Sequence, residues 1–537
     1  MNAIDRERAL ERGLAADEYV DVARPLQIAR NESWWALAND ASDSHTARAK
    51  KASKALSEAL ADKKRSATFA RWRKEAPTGD AVVDRRVDVI AREIAATPTS
   101  KQERAAISDT QTSLQQKFAS HRAIVGDTPH SAAELDAILT GSRDVALRER
   151  AWRGAVSAGE ALAPTLLELV RKRNAFAQRQ GYRDFYAMRL DLTEIDEDEL
   201  FSMLDTLEKA SRSPYRTRKA VHDADRARQF GCNADSLKPW HYEDPFFQRV
   251  RAPERLGLSE HLEDLDFIDA AVRFNDSLGF NVRDVIERSD IYPREAKNGH
   301  AFCMDVNRSG DIRVLLNLTN SERWLQTTLH ELGHAAYDRY IPRSLPWELR
   351  RPTHAFVTES IAMLMDRQAF TSEFLIEYAG LDPFVVTPLS GELRRFMSFR
   401  KQLMVRWCLV MIHFERALYA DPDRADLDAY WWELRQKFQL VNAPENPPTA
   451  DWAAKPHFTI APVYYHNYLL GDVLASQLAA TIATQSRQPT LVDNSFAGEM
   501  LIGDLFRHGA ALSWRDLVQK VTKEPLNVDA FVREYLS

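Results

Sequence analysis

Residues 319–338 read TNSERWLQTTLHELGHAAYD. His330 and His334 stand four residues apart, so on a helix both imidazoles lie on one face about one turn apart. A single ion is then within reach of both. Zinc suits imidazole, and an open zinc site takes three protein ligands with a water in the fourth position. Glu331, next to the first histidine, is placed to take a proton from that water. Thr319 and Glu322 have the spacing of a capping box, so the helix is expected to open there. The plain alternative is an amphipathic helix whose histidines are only polar neighbours.

Working outward, Glu359 lies in THAFVTESIAMLMD, residues 353–366, 25 residues after His334. A glutamate on a second helix is the usual third partner of such a histidine pair. Phe356, Ile361, Leu364 and Met365 surround it with apolar side chains, and a buried carboxylate needs a partner such as a metal ion. The expected cofactor is one Zn2+ per chain, held by His330, His334 and Glu359. On the other side, residues 299–318 read GHAFCMDVNRSGDIRVLLNL. They predict two short strands joined by a turn at Asn307–Gly310.

The rest of the chain reads as helix. It has 537 residues, with 45% hydrophobic and 28% charged, enough for a large core. Only 19 glycines and 23 prolines punctuate it, too few for a many-stranded sandwich or barrel. Val83, Val87, Ile90 and Ile94 recur at helical spacing, as do Leu162, Leu166, Leu169 and Val170. Asp196 with Glu199 opens another helix. The net charge of −6 carries no basic stripe, so no nucleic-acid partner is expected. Three scattered cysteines, Cys232, Cys303 and Cys408, make no disulfide framework. With no apolar leader or membrane-length run seen, no membrane partner and a cytoplasmic location are expected.

Together these motifs resemble the angiotensin-converting enzyme family of zinc peptidyl dipeptidases, within the gluzincin group. Besides His330–His334 and Glu359, the likeness rests on Gly299-His300-Ala301 ahead of the strand pair, on Lys455-Pro456-His457, and on Tyr464-Tyr465 with Tyr468. The resemblance implies a mainly α fold with two helical lobes flanking a deep active-site cleft and a short β-hairpin beside the zinc helix. It implies an N-terminal helical lid over residues 1–125 and one continuous peptidase unit over 126–537. It also implies roles. Glu331 is the general base. His300 and His457 donate to substrate carbonyls, and the Ala301 backbone binds the peptide in extended form. Lys455 pairs with the substrate's terminal carboxylate, supported by Tyr465, and Tyr468 donates to the oxyanion. Short peptides are the implied substrates, losing C-terminal dipeptides; the oligomeric state is open.

The chain also departs from that family. Tyr464 competes with Tyr465 for the first tyrosine role. Four residues after its glutamate ligand the family has an aspartate that steadies a zinc histidine; here Met363 stands there, and Asp366 is the nearest acid. The family's carboxylate-binding glutamine falls near Trp240-His241-Tyr242, which holds none. The interval to Glu359 is also similar to that of thimet-type and bacterial oligoendopeptidases, so internal cutting of short peptides is the runner-up. A zinc-dependent hydrolase of a non-peptide amide and a non-catalytic zinc-containing helical binding module remain open.

Overall fold

A computed structural model describes residues 2–536, apart from 127, 253–255, 258, 259, 261, 263, 264 and 320. The fold is mainly helical. Among the described residues, the strands form two antiparallel pairs of two, Ala123–Val125 with Thr128–His130 and Phe302–Asp305 with Ile312–Leu315. No described helix is long and apolar enough to cross a membrane. The chain forms two compact units. The first comprises Met1–Thr99, Pro253–Arg394 and Leu470–Phe531, and the second Ser100–Ala252, Arg395–Leu469 and Val532–Ser537.

In the first unit, the helix Ala81–Ala95 carries the predicted stripe, with Val87, Ile90 and Ile94 buried. That stripe packs with Tyr19, Phe69 and Trp72 of the preceding helices into one core. Arg86 of the same helix pairs with the buried Glu348, and Arg85 donates to the Ala510 carbonyl at 2.9 Å. The first helix, Ala3–Asn39, meets the hairpin: Asn31 donates to the Val306 carbonyl at 3.0 Å, and Trp34 lies 4.3 Å from the Phe302 ring. The hairpin turn falls where expected. Asp305 accepts from the amides of Asn307, Ser309 and Gly310, and Gly310 takes φ +97°, which a glycine adopts without strain.

The helix bearing His330 and His334 runs Glu322–Arg339, and the helix bearing Glu359 runs Ala355–Asp366. Gly333 lets them meet. A Cβ there would lie 2.8 Å from the Ala362 Cα, a backbone atom with nowhere to go. The start of the histidine helix differs from the capping-box reading. Ser321 is its N-cap and makes no side-chain cap bond, so Glu322 occupies the first helical position rather than the third. Asn320 lies outside the described residues.

The second unit holds the long helices Val145–Arg179 and Glu197–Phe230, the latter capped by Asp196 as expected. Its core is rich in indoles: Trp152, Trp407, Trp431 and Trp452 are fully buried. Gly159 is required there, because a Cβ would lie 2.1 Å from the Ala450 carbonyl oxygen.

Candidate metal centre

The first unit brings together the three residues singled out as ligands. One donor atom from each of His330, His334 and Glu359 lies within 4.8 Å of the others. The two imidazoles are 4.9 Å apart and nearly perpendicular. Each ring is fixed through its Nδ1: His330 to Asp366 Oδ2 at 2.9 Å, His334 to Thr358 Oγ1 at 2.7 Å. Both Nε2 atoms are thereby left for an ion, the arrangement in which a second partner orients a ligating histidine. His330 Nε2 already lies 3.5 Å from Glu359 Oε2. Two neutral imidazoles and one carboxylate suit zinc, so the residues fit the ion.

Electrostatics follow from burial and from the crowd of acids. Burial pushes Glu331 up to about 7, opposed by His330 and reinforced by Glu359 and Asp366. Burial also acts to lower His330, but its bonds to Asp366 and Glu359 outweigh this and hold it well above the usual value. His334 is pushed down to about 4 by burial and by the charge of His330. A dication among the donors would replace the proton shared around His330 and draw Glu331 back down.

His300 is exposed, its amide bonded to Asn298 Oδ1 at 3.0 Å. Ala301 directly precedes the strand Phe302–Asp305. His354 turns out to be a cap: its Nδ1 accepts from the Phe356 amide at 3.1 Å and starts the glutamate helix.

The second unit brings together a different set. Lys455 is buried, and its Nζ donates to Gln248 Oε1 at 2.8 Å. That nitrogen lies 5.3 Å from the Phe246 ring, 5.2 Å from Trp407 and 6.0 Å from Tyr465. Burial lowers its pKa to about 8, with Asp244 working against the shift. Trp407 Nε1 donates to the Tyr465 hydroxyl at 3.1 Å. The His457 ring lies 4.7 Å from Tyr465 and 6.3 Å from Tyr468. Tyr464 meets the Tyr468 ring edge-on instead, at 5.2 Å.

Residues 280–536 match the family model described as peptidase family M3, and residues 12–217 match the one described as angiotensin-converting enzyme. Each model matches less than half of the chain, and together they point to an angiotensin-converting enzyme-like or M3 peptidase family. A relative from Mus musculus, angiotensin-converting enzyme-like protein Ace3, is 23% identical over 431 residues, which cover 73% of this chain and 57% of that protein. The chain thus spans little more than half the length of the relative it matches.

Two positions differ from the pattern of the resembled family. Met363 leaves the steadying of His330 to Asp366, one helical turn further on. Past Trp240-His241-Tyr242, Gln248 lies beyond a tight turn, and its Oε1 accepts from Lys455. Phe247 takes φ +48° there, and the buried Asp244 accepts from the amides of Phe246, Gln248 and Arg249. Asp244 followed by Pro245 is the signal in the sequence: an Asx-type turn that folds the next residues back.

Proposed function

We propose that this chain is a zinc-dependent peptidase that removes dipeptides from the C-terminus of short peptides. The observation that carries the reading is the buried Lys455, held by Gln248 among aromatic rings and close to Tyr465. A desolvated cation with a hydrogen-bonding neighbour is a fitting partner for a terminal carboxylate. Such a pocket has little use in an enzyme that cuts at interior bonds.

When bound to His330, His334 and Glu359, zinc supplies the Lewis acidity that makes a water nucleophilic near neutral pH. Glu331 takes the proton from that water and passes it to the leaving nitrogen. Tyr468 donates to the developing oxyanion. His457 donates to a substrate carbonyl, as does His300, while the Ala301 backbone pairs with the extended peptide. Lys455, Gln248 and Tyr465 hold the far end.

The M3 match spans all three ligands and favours a second reading, internal cutting of oligopeptides. Incubating the zinc-loaded protein with a mixed peptide pool and reading products by mass spectrometry separates the two. Loss of two C-terminal residues supports the first reading and internal cuts the second. An intact pool, with zinc bound, overturns both.

A further inference from the structure

The tyrosine segment is entered through a backbone conformation that its sequence does not favour. Val463 takes φ +56°. A β-branched residue is a genuine outlier there, and such a conformation persists only when its surroundings hold it. The Val463 amide donates to Glu415 Oε1 at 2.8 Å, with both residues buried. Glu415 projects from the helix Pro383–Ala420, whose residues from Arg395 onward belong to the second unit.

The stretch just before is pinned as well. Arg173, also buried, donates to the Phe458 carbonyl at 2.9 Å and the Thr459 carbonyl at 2.8 Å, and to the Tyr419 hydroxyl at 3.1 Å. Residues 458–463 are thus fastened at both ends. On one side stand Lys455 and His457, and on the other Tyr465 and Tyr468. The rings of Tyr465 and Tyr468 lie 5.5 Å apart.

We propose that Glu415 is a positioning residue, whose grip on the Val463 amide holds the strained turn that aims Tyr465 and Tyr468. The proposal rests on the peptidase reading above. Burial pushes its pKa up to about 8, against the Val463 amide and Arg173, which favours the neutral form near neutral pH. A neutral carboxyl accepts the amide without leaving a bare charge in the core.

The test compares Glu415→Gln, Glu415→Leu and the double variant Glu415→Leu/Val463→Gly. Glutamine keeps a carbonyl acceptor of the same reach, so kcat should stay within about 2-fold of wild type. Leucine removes the acceptor, and kcat should fall by roughly 10–100-fold, the scale set by moving an oriented group about 1 Å. Zinc content and melting temperature, measured alongside, should change too little to account for that fall. Glycine takes positive φ freely, so the double variant should regain most of the lost rate. Hydrogen exchange at the Val463 amide reads the bond with no substrate present and should quicken at least ~10-fold in Glu415→Leu.

If Glu415→Leu does not fold, Glu415→Asp takes its place, since the shorter arm withdraws the acceptor. A wild-type kcat in the leucine variant, equal damage from Gln and Leu, or no rescue by Val463→Gly overturns the proposal. An inactive wild-type protein with a protected Val463 amide would instead overturn the peptidase reading alone.

Discussion

His330 turns its Nδ1 to the Asp366 carboxylate at 2.9 Å, and its Nε2 thereby faces Glu359 at 3.5 Å. Asp366 fixes the ring, and Glu359 would share an ion bound there. The aspartate sits on the last turn of the same helix that presents Glu359, so one short helix supplies both a ligand and the orienting group for another.

Replacing Asp366 should therefore weaken the metal rather than the fold around it. We expect Asp366→Ala to lower zinc affinity by roughly 10–100-fold, the range found for partners of ligating histidines. Competition with a calibrated chelator measures it. Unchanged affinity would mean that packing alone holds the His330 ring.

Glu331 is adjacent to the ligands but is not one of them. Glu331→Gln keeps the shape and removes the base. The variant should bind zinc as wild type does and lose roughly 10²–10⁴-fold in kcat. Near-normal turnover with full zinc occupancy would sink the base assignment.

Lys455 sets an alkaline limit. Its pKa of about 8 in the free protein means that the ammonium is present below that pH and is lost above it. For free-acid peptides, kcat/KM should decline as pH rises through about 8. C-terminally amidated peptides should show a higher KM throughout and no such decline. Matching pH profiles for the two substrates would favour the internal-cutting reading.

Tyr468 and Tyr464 meet edge-on but are assigned different fates. Tyr468→Phe should lower kcat by roughly 10²-fold with little change in KM, as expected for an oxyanion donor. Tyr464→Phe should leave both parameters within about 2-fold, because it keeps the ring contact and removes only a hydroxyl given no catalytic role. A reversed outcome would exchange the two roles.

How much of this was readable in advance depended on how local the cause is. The histidine spacing and the apolar setting of Glu359 are features of single helices, and the structure brings the donor atoms of His330, His334 and Glu359 within 4.8 Å of one another. The hairpin turn at Asn307–Gly310 is equally local. Gln248 escaped because position along the chain is a poor guide across a left-handed turn at Phe247. Thr358, the partner of His334, gives no sign in sequence, since a threonine in a helix usually bonds its own backbone. The helix start at Ser321 could not be separated from Thr319 when both are capping residues. The gathering of segments such as 1–99 and 470–531 into one unit depends on contacts between residues far apart in sequence, to which periodicity is blind.

The backbone contact at Gly333 has a consequence in coordination chemistry. The two ligand-bearing helices stand as close as main-chain atoms allow, so the gap between donors is set by hard contact and not by the ion. Were an ion to bind His330, His334 and Glu359, the entropy of gathering those donors would already have been lost during folding. Filling the site would then ask for no rearrangement of the two helices.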